Sequence, residues 1–165
     1  MNTLILMVGI PASGKTTIRN KLFPRAEIIS PDDYIGYTKQ NPWTPQKARK
    51  AWKKADALLL EAFKRKDDVI IFDATFVSPK RRRKYIGMAN RNDFKVIATY
   101  CPISVDVAIE RNASREEFRQ VPKFVINRMF FDLVPPSIEE GFDKVLTFDS
   151  VSNKLNSRLP EYLEG

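Results

Sequence analysis

Residues Gly9-Ile10-Pro11-Ala12-Ser13-Gly14-Lys15-Thr16 spell G-x-x-x-x-G-K-[ST], a spacing suited to holding a chain of phosphates. Gly9 and Gly14 let the backbone curl so that successive N–H groups aim at one anion. A helix that starts beside Gly14 adds its positive N-terminal end. Lys15 then reaches the β- and γ-phosphates, and the Thr16 hydroxyl is placed to ligate Mg²⁺. Ala12, Ser13 and Thr17 complete the expected phosphate-binding set. The competing reading is a glycine turn with a chance lysine. The context opposes it: an apolar, β-branched run, Thr3 to Val8, precedes the loop, and a helical segment, Thr17 to Phe23, follows.

The chain has no histidine. A general base must therefore be Asp or Glu, and a His-based triad or zinc site is excluded. Asp32 and Asp33 follow a short apolar strand, where a carboxylate could orient an acceptor hydroxyl and take its proton. A turn or helix cap is the plainer use of either. Asp73 ends another apolar strand, the place of a carboxylate that holds Mg²⁺ through water or orients a nearby arginine; Thr75 is close enough to line the acceptor site. Arg111 and Arg115 are four apart, so a helical turn puts both on one face. Planar, multi-donor arginines suit the charge on a transferring phosphoryl group. They could instead pair with Glu110, Glu116 or Glu117, and Arg119 is a third candidate. Lys80-Arg81-Arg82-Arg83-Lys84 places five cations at a helix start, against the helix dipole. Such a run is usually a solvated face, but a phosphate backbone would offset both the repulsion and the placement. Arg81, Arg82 and Arg83 are therefore expected on the acceptor side.

The elements that must position these residues alternate. Strands are expected over 3–8, 26–30, 68–73, 94–101 and 144–148. A helix starts at Thr44-Pro45 and runs to about Lys66; Ser78-Pro79 caps another, ending near Asn90. Ser104 starts a fourth, and Pro122 opens a fifth with Val125, Met129, Phe130 and Leu133 as its apolar residues. Residues 36–44 read as a loop, Arg111 to Val121 as a charged loop, and the polar tail after Asp149 as loosely ordered. The result is an α/β fold: a five-stranded parallel sheet with helices on both faces. Residues 1–150 form one domain and 151–165 a tail. Ligands of such sheets bind at the C-terminal strand ends, so the phosphate loop, Asp32, Asp33 and Asp73 should converge. The loop around Asp149 and Val151 is the expected place for the donor base.

With 165 residues the chain suits one domain. It has no run of 18 apolar residues for a membrane span, and its first apolar stretch runs into the phosphate loop instead of a cleavage site. A single cysteine, Cys101, excludes an intrachain disulfide and suits a cytoplasmic setting; it reads as a buried apolar residue at a strand end rather than a redox group. The net charge of +8 favours anionic partners, nucleic acid foremost.

Taken together these motifs resemble the P-loop kinase domain of phage-type 5′-polynucleotide kinases. The resemblance runs from about Asn2 to Leu146. It rests on Gly9 to Thr17, Ser30-Pro31-Asp32-Asp33-Tyr34, Val69 to Thr75, Ser78-Pro79-Lys80-Arg81-Arg82, and Glu110-Arg111-Asn112-Ala113-Ser114-Arg115 followed by Val121-Pro122. It implies a P-loop kinase fold with strand order 2-3-1-4-5 and a lid over about 111–121, ATP and Mg²⁺, a nucleic acid 5′ end as acceptor, Asp32 as general base, Asp73 in the acceptor pocket, and Arg111 and Arg115 in the lid, with Arg115 on the donor phosphates. Lys15 and Thr16 keep the phosphate and Mg²⁺ roles. Three positions depart from the family pattern: Ile35 and Pro31 stand where arginines are common, and Thr75 where asparagine is usual. No Asp-x-Asp motif of the family's 3′-phosphatase domain is present, so kinase activity alone is expected, in nucleic acid end repair, with no protein or membrane partner evident. Two other readings stay open: a kinase of a small acceptor (nucleoside, modified base, sugar or antibiotic), which Ile35 favours, and a non-catalytic ATP-binding module.

Overall fold

The computed structural model describes residues 1–35, 38–42 and 44–163. Strands β1 (Thr3–Val8), β2 (Glu27–Ile29), β3 (Val69–Asp73), β4 (Lys95–Tyr100), β5 (Lys144–Asp149) and β6 (Lys154–Leu155) alternate with helices α1 (Lys15–Leu22), α2 (Pro45–Arg65), α3 (Pro79–Arg91), α4 (Val105–Ala113) and α5 (Lys123–Asp132). One six-stranded sheet results, in the order β2-β3-β1-β4-β5-β6. The pairs are parallel except β5 with β6. Two corrections follow. The sheet has six strands, not five, and the segment after Asp149 is not loose: Leu155 pairs with Phe148, and Leu155, Leu159 and Leu163 pack on the core. Those leucines are spaced too widely among polar residues to register as an element in sequence.

All six residues of β1 are buried, as expected of a central parallel strand covered on both faces. Its alternate side chains build two separate layers. Leu4, Leu6 and Val8 join residues of α2 and α3, including Leu59, Phe63, Tyr85 and Ala89. Ile5 and Met7 join Ile18 of α1, Phe23 and the tail leucines. A third cluster, Ile10 with Ala108 of α4 and Ile126 of α5, sits over the strand ends.

The helix starts follow from capping. Thr44 accepts a hydrogen bond from Lys47 N and Ser78 from Arg81 N, each with proline next, and Ser104 accepts from Val107 N. These side chains satisfy N–H groups that have no partner within the helix. Helix α1 begins at Lys15, two residues before the sequence reading placed it, because Gly14 turns the chain at φ 98°. The lid segment is partly ordered too: α4 runs to Ala113, and a 3₁₀ turn covers Glu117–Arg119. On α5 the buried residue is Ile126, while Phe130 is exposed. Of the loop expected over 36–44, Gly36, Tyr37 and Trp43 lie outside the described residues. No described helix is long and apolar enough to cross a membrane.

Leu155→Ala and Leu159→Ala each remove a half-buried side chain and should cost about 1 kcal/mol. Together they should lower the melting temperature by several degrees, about 2–4 °C per kcal/mol. A melting curve unchanged in the double variant means the tail does not contribute to stability.

Candidate active site

The sheet register brings the candidate residues to one edge. Met7 pairs with Asp73, Ile29 with Phe72 and Val8 with Tyr100. The phosphate loop, the Ser30–Tyr34 turn, Asp73 and Cys101 therefore leave the sheet side by side.

The loop itself is a cradle built for close backbone approach. A Cβ on Gly9 would lie 2.6 Å from Ser13 Oγ and 3.2 Å from Cys101 O, and a Cβ on Gly14 3.0 Å from Ser150 Cβ. Ala12 also takes a left-handed conformation, φ 63°, which L-residues with a Cβ rarely adopt. The Ser13 hydroxyl is buried without a hydrogen-bond partner among the described residues, so one polar group inside the loop is unsatisfied by protein. These features fit a bound phosphate chain. Thr16 and Thr17 stand exposed at the start of α1, with Thr16 the residue available to a metal ion.

Lys15 Nζ donates to Gly9 O and Ile10 O, each at 2.9 Å. Burial lowers its pKa below the ordinary lysine range, and Arg115 adds to this, while Asp73, Cys101 and Asp32 oppose it. The same burial pushes the Cys101 thiol up to about 11, so it stays protonated and inert at neutral pH.

Asp32 stands at the open mouth of the cleft, but its carboxyl titrates above the usual carboxylate range. Loss of hydration comes first; Asp73 and Asp33 add to it, and Lys15 and Arg115 oppose it. Lys15, Asp32, Asp73 and Arg115 thus act on one another although 100 residues separate the first from the last. Asp33 is exposed beside Asp32. Thr75 meets the loop through its backbone: Gly9 N donates to Thr75 O at 3.0 Å.

Asp73 forms an ion pair with Arg19. The side chains are 9% and 15% exposed, so the pair lies largely out of water. An arginine partner is one of the two roles open to Asp73, and Arg19 is the arginine beside it. Arg19 escaped the sequence reading. Its signal was its place on α1, four residues after Lys15 and so on the same helical face.

Arg111 Nη1 donates to Ser150 Oγ at 3.0 Å, beside Gly14. Arg115 and Arg119 are exposed on the loop that follows. Asn112 went unnoticed in sequence, yet it closes this loop: its Nδ2 donates to Val121 O at 2.8 Å, and its Oδ1 accepts from Val121 N at 3.0 Å. Asp149 and Val151, the expected donor-base loop, line a cavity of about 400 Å³ with Ile10, Tyr100, Ile103 and Phe130.

The basic run of α3 divides. Lys80, Arg81, Arg83 and Lys84 are exposed. Arg81 lies over the Trp52 ring, 4.3 Å from its centroid, and Lys84 pairs with Asp56. Arg82 is the correction: it is 0% exposed and paired with Glu140, so it cannot touch an acceptor. On a helix the third residue of five turns away from its neighbours, and here it turns inward.

A family model for an AAA domain (AAA_33) matches residues 4–136. The chain belongs to this family. It is 26% identical over 145 residues to the bifunctional polynucleotide phosphatase/kinase of Schizosaccharomyces pombe, covering 86% of this chain and 32% of that protein. It therefore spans about a third of that relative's length. In fold it is similar to a crystal structure of a Chloroflexus aurantiacus chain described as a kinase, with TM-score 0.70, 21% identity, and 90% and 85% of the two chains covered. It is also similar to a chain in the Pnkp1/Rnl/Hen1 RNA repair complex, with TM-score 0.67, 21% identity, and 96% and 49% covered. The fold is that of the P-loop kinases, a mostly parallel mixed sheet with helices on both faces, and it implies ATP binding.

Asp73→Asn leaves the Arg19 cation largely buried and unpaired, which should cost on the order of 3 kcal/mol. Arg19→Gln strands the carboxylate in the same way. Denaturant unfolding of both single variants and the double should show a double variant less damaged than the sum of the singles. Strict additivity means the pair is not coupled.

Proposed function

We propose that this chain is an ATP-dependent kinase of a polynucleotide 5′-hydroxyl group. The observation that carries the reading is a cleft with a phosphate cradle and a base on one side and a rim of cations on the other. The name of the Schizosaccharomyces pombe relative supports the acceptor class.

In this reading the Asp32 carboxylate accepts the proton of the 5′-hydroxyl. The hydroxyl oxygen bonds to the γ-phosphorus, and the bond from that phosphorus to its bridging oxygen breaks, releasing ADP. A raised pKa makes Asp32 a stronger base than an ordinary carboxylate. Lys15 exchanges its two carbonyl partners for phosphate oxygens, and Arg115 meets the charge of the transferring group. Arg111 acts beside it on the donor phosphates. Bound Mg²⁺, held by Thr16, supplies further charge neutralisation. Asp73 keeps Arg19 in place next to these groups, and Asp33 and Thr75 face the acceptor.

The rim consists of the N-terminal halves of α2 and α3. Neither has an acidic residue in its first turn, contrary to what the helix dipole favours. Arg49, Lys50, Lys53, Lys80 and Arg83 are exposed and make no ion pair or hydrogen bond among the described residues. Lys54 lies over the Tyr34 ring, 4.9 Å from its centroid, two residues from Asp32. A polyanion leaving Asp32 meets these cations in turn. A small acceptor is the second reading, and Ile35 favours it: this buried side chain offers no cation to a neighbouring phosphate.

A panel of 5′-hydroxyl oligonucleotides, nucleosides and sugars with labelled ATP decides between them. Lys15→Ala should lower kcat by about 10²-fold or more. Asp32→Asn should do the same while keeping ATP binding. Greater damage from Asp33→Asn means the two roles are reversed.

The pH dependence follows from Asp32. Its folded pKa exceeds the unfolded value, so the ionised form opposes folding above that pKa, and the opposition fades as pH falls through it. Asp32→Asn should therefore raise the melting temperature at neutral pH. In the wild type the acid limb of kcat/KM, which reports the free enzyme, should lie above the ordinary carboxylate range. A limb near pH 4 with an unchanged melting temperature contradicts this assignment.

Salt dependence tests the rim. For single strands log K against log salt falls with a slope of about −0.7 per phosphate neutralised. Replacing Lys80, Arg81 and Arg83 by Ala should flatten that slope by about 2 units and leave the KM for ATP unchanged. An unchanged slope and acceptor KM remove the rim from acceptor binding.

A further inference from the structure

We propose that Arg82 is a positioning residue for phosphoryl transfer, holding the turn that joins the phosphate loop to the acceptor side. The proposal rests on the kinase reading above.

A buried guanidinium is costly unless every donor is well paired, and an apolar residue of similar volume is often as stable in its place. Four of the five N–H donors of Arg82 have a partner among the described residues. Its Nε donates to Glu140 Oε1 at 2.7 Å and its Nη2 to Glu140 Oε2 at 2.9 Å. Its Nη1 donates to Phe76 O at 2.8 Å and Val134 O at 2.9 Å. The Glu140 carboxylate is itself fixed, accepting from Ser137 N at 2.9 Å. Only a planar fork can serve a carboxylate and two carbonyls of separate segments at once.

What the fork holds is a strained place. Phe76 has φ 46°, a left-handed conformation that a bulky side chain adopts only at a cost. Its ring is fully buried against Phe72, Tyr85 and Trp52, and its carbonyl is locked by Arg82. The next residue back, Thr75, accepts from Gly9 N, and the Gly9 carbonyl accepts from Lys15 Nζ. A short chain of bonds therefore leads from Arg82 through Phe76, Thr75 and Gly9 to Lys15. On its other side Arg82 holds Val134, whose N–H donates to Val77 O at 3.0 Å. Val134 closely follows α5, the helix after the lid. Arg82 thus fixes three parts of the cleft relative to one another: the phosphate loop, the turn carrying Thr75, and the support of the lid.

The test uses Arg82→Met, which fills the space without donors, and Arg82→Lys, which keeps the charge but loses the fork. Each is compared with Leu159→Ala, a destabilised control on the core layer opposite the one that holds Phe76. Melting temperature, kcat, KM for ATP and acceptor, and the calorimetric Kd for Mg·ATP are measured well below the melting transition. The expected result for Arg82→Met is a kcat at least about 10-fold lower and a Kd for ATP at least about 5-fold higher. Arg82→Lys should recover little of either, and the control should lose neither. Normal kcat and ATP affinity in folded Arg82→Met overturn the proposal, whatever the melting temperature. If Arg82→Met does not fold, Arg82→Lys and Glu140→Gln decide by the same two readouts. A wild type that phosphorylates no member of the panel of oligonucleotides, nucleosides and sugars defeats the kinase reading separately; the ATP affinity of the variants then still decides the role of Arg82.

Discussion

An ammonium group has to remain useful in a place that resists charge, and the cleft is arranged around that difficulty. Burial disfavours protonated Lys15, and two loop carbonyls receive its donors. The nearby carboxylates of Asp73 and Asp32 oppose the loss of charge. Asp73 cannot serve Lys15 alone, because it also balances Arg19. The cations therefore outnumber the fixed anions around the loop, which suits a site meant to receive a phosphate chain. Loss of hydration, with Asp73 and Asp33 nearby, raises the pKa of Asp32 against the pull of Lys15 and Arg115, and in the proposed reaction that is the property a hydroxyl-activating base needs.

Much of this was legible in the sequence because its signals are local. The phosphate-loop spacing, the capping residues Thr44, Ser78 and Ser104, and the apolar strands ending in Asp73 and near Asp32 each use short-range rules. The strand order up to β5 is the one implied by the resemblance to the P-loop kinases, not one read from the alternation of elements. What stayed hidden depends on rotation and long-range pairing. Arg82 looks like its four neighbours until the helix phase against the core is known. Arg19 finds Asp73 across 54 residues, and Asn112 closes the lid loop only because Val121 returns to it. The tail leucines carry no periodicity, so β6 could not be read from them.

The division of the basic run on α3 changes how its charge is understood. One arginine is structural and four cations remain at the surface, where α2 adds Arg49, Lys50 and Lys53 from a distant part of the chain. A charged surface assembled from two helix starts is therefore more extended than the five-residue motif suggests. Its helix ends and its side chains bear the same sign, so they reinforce each other toward an anion.

The sixth strand also bears on how molecules meet. A long exposed β5 would present a row of free N–H and C=O groups to any neighbouring chain. The outermost strand is instead the two-residue β6, running antiparallel and carrying Lys154. β6 covers the last two residues of β5, and Asn156 continues the cover at Thr147: its N donates to Thr147 O at 2.9 Å and its Oδ1 accepts from Thr147 N at 2.8 Å. The opposite edge is the three-residue β2, with an exposed Glu27. Self-templated growth of the sheet is opposed at both edges by brevity and charge, while its fully hydrogen-bonded centre stays reserved for carrying the phosphate loop.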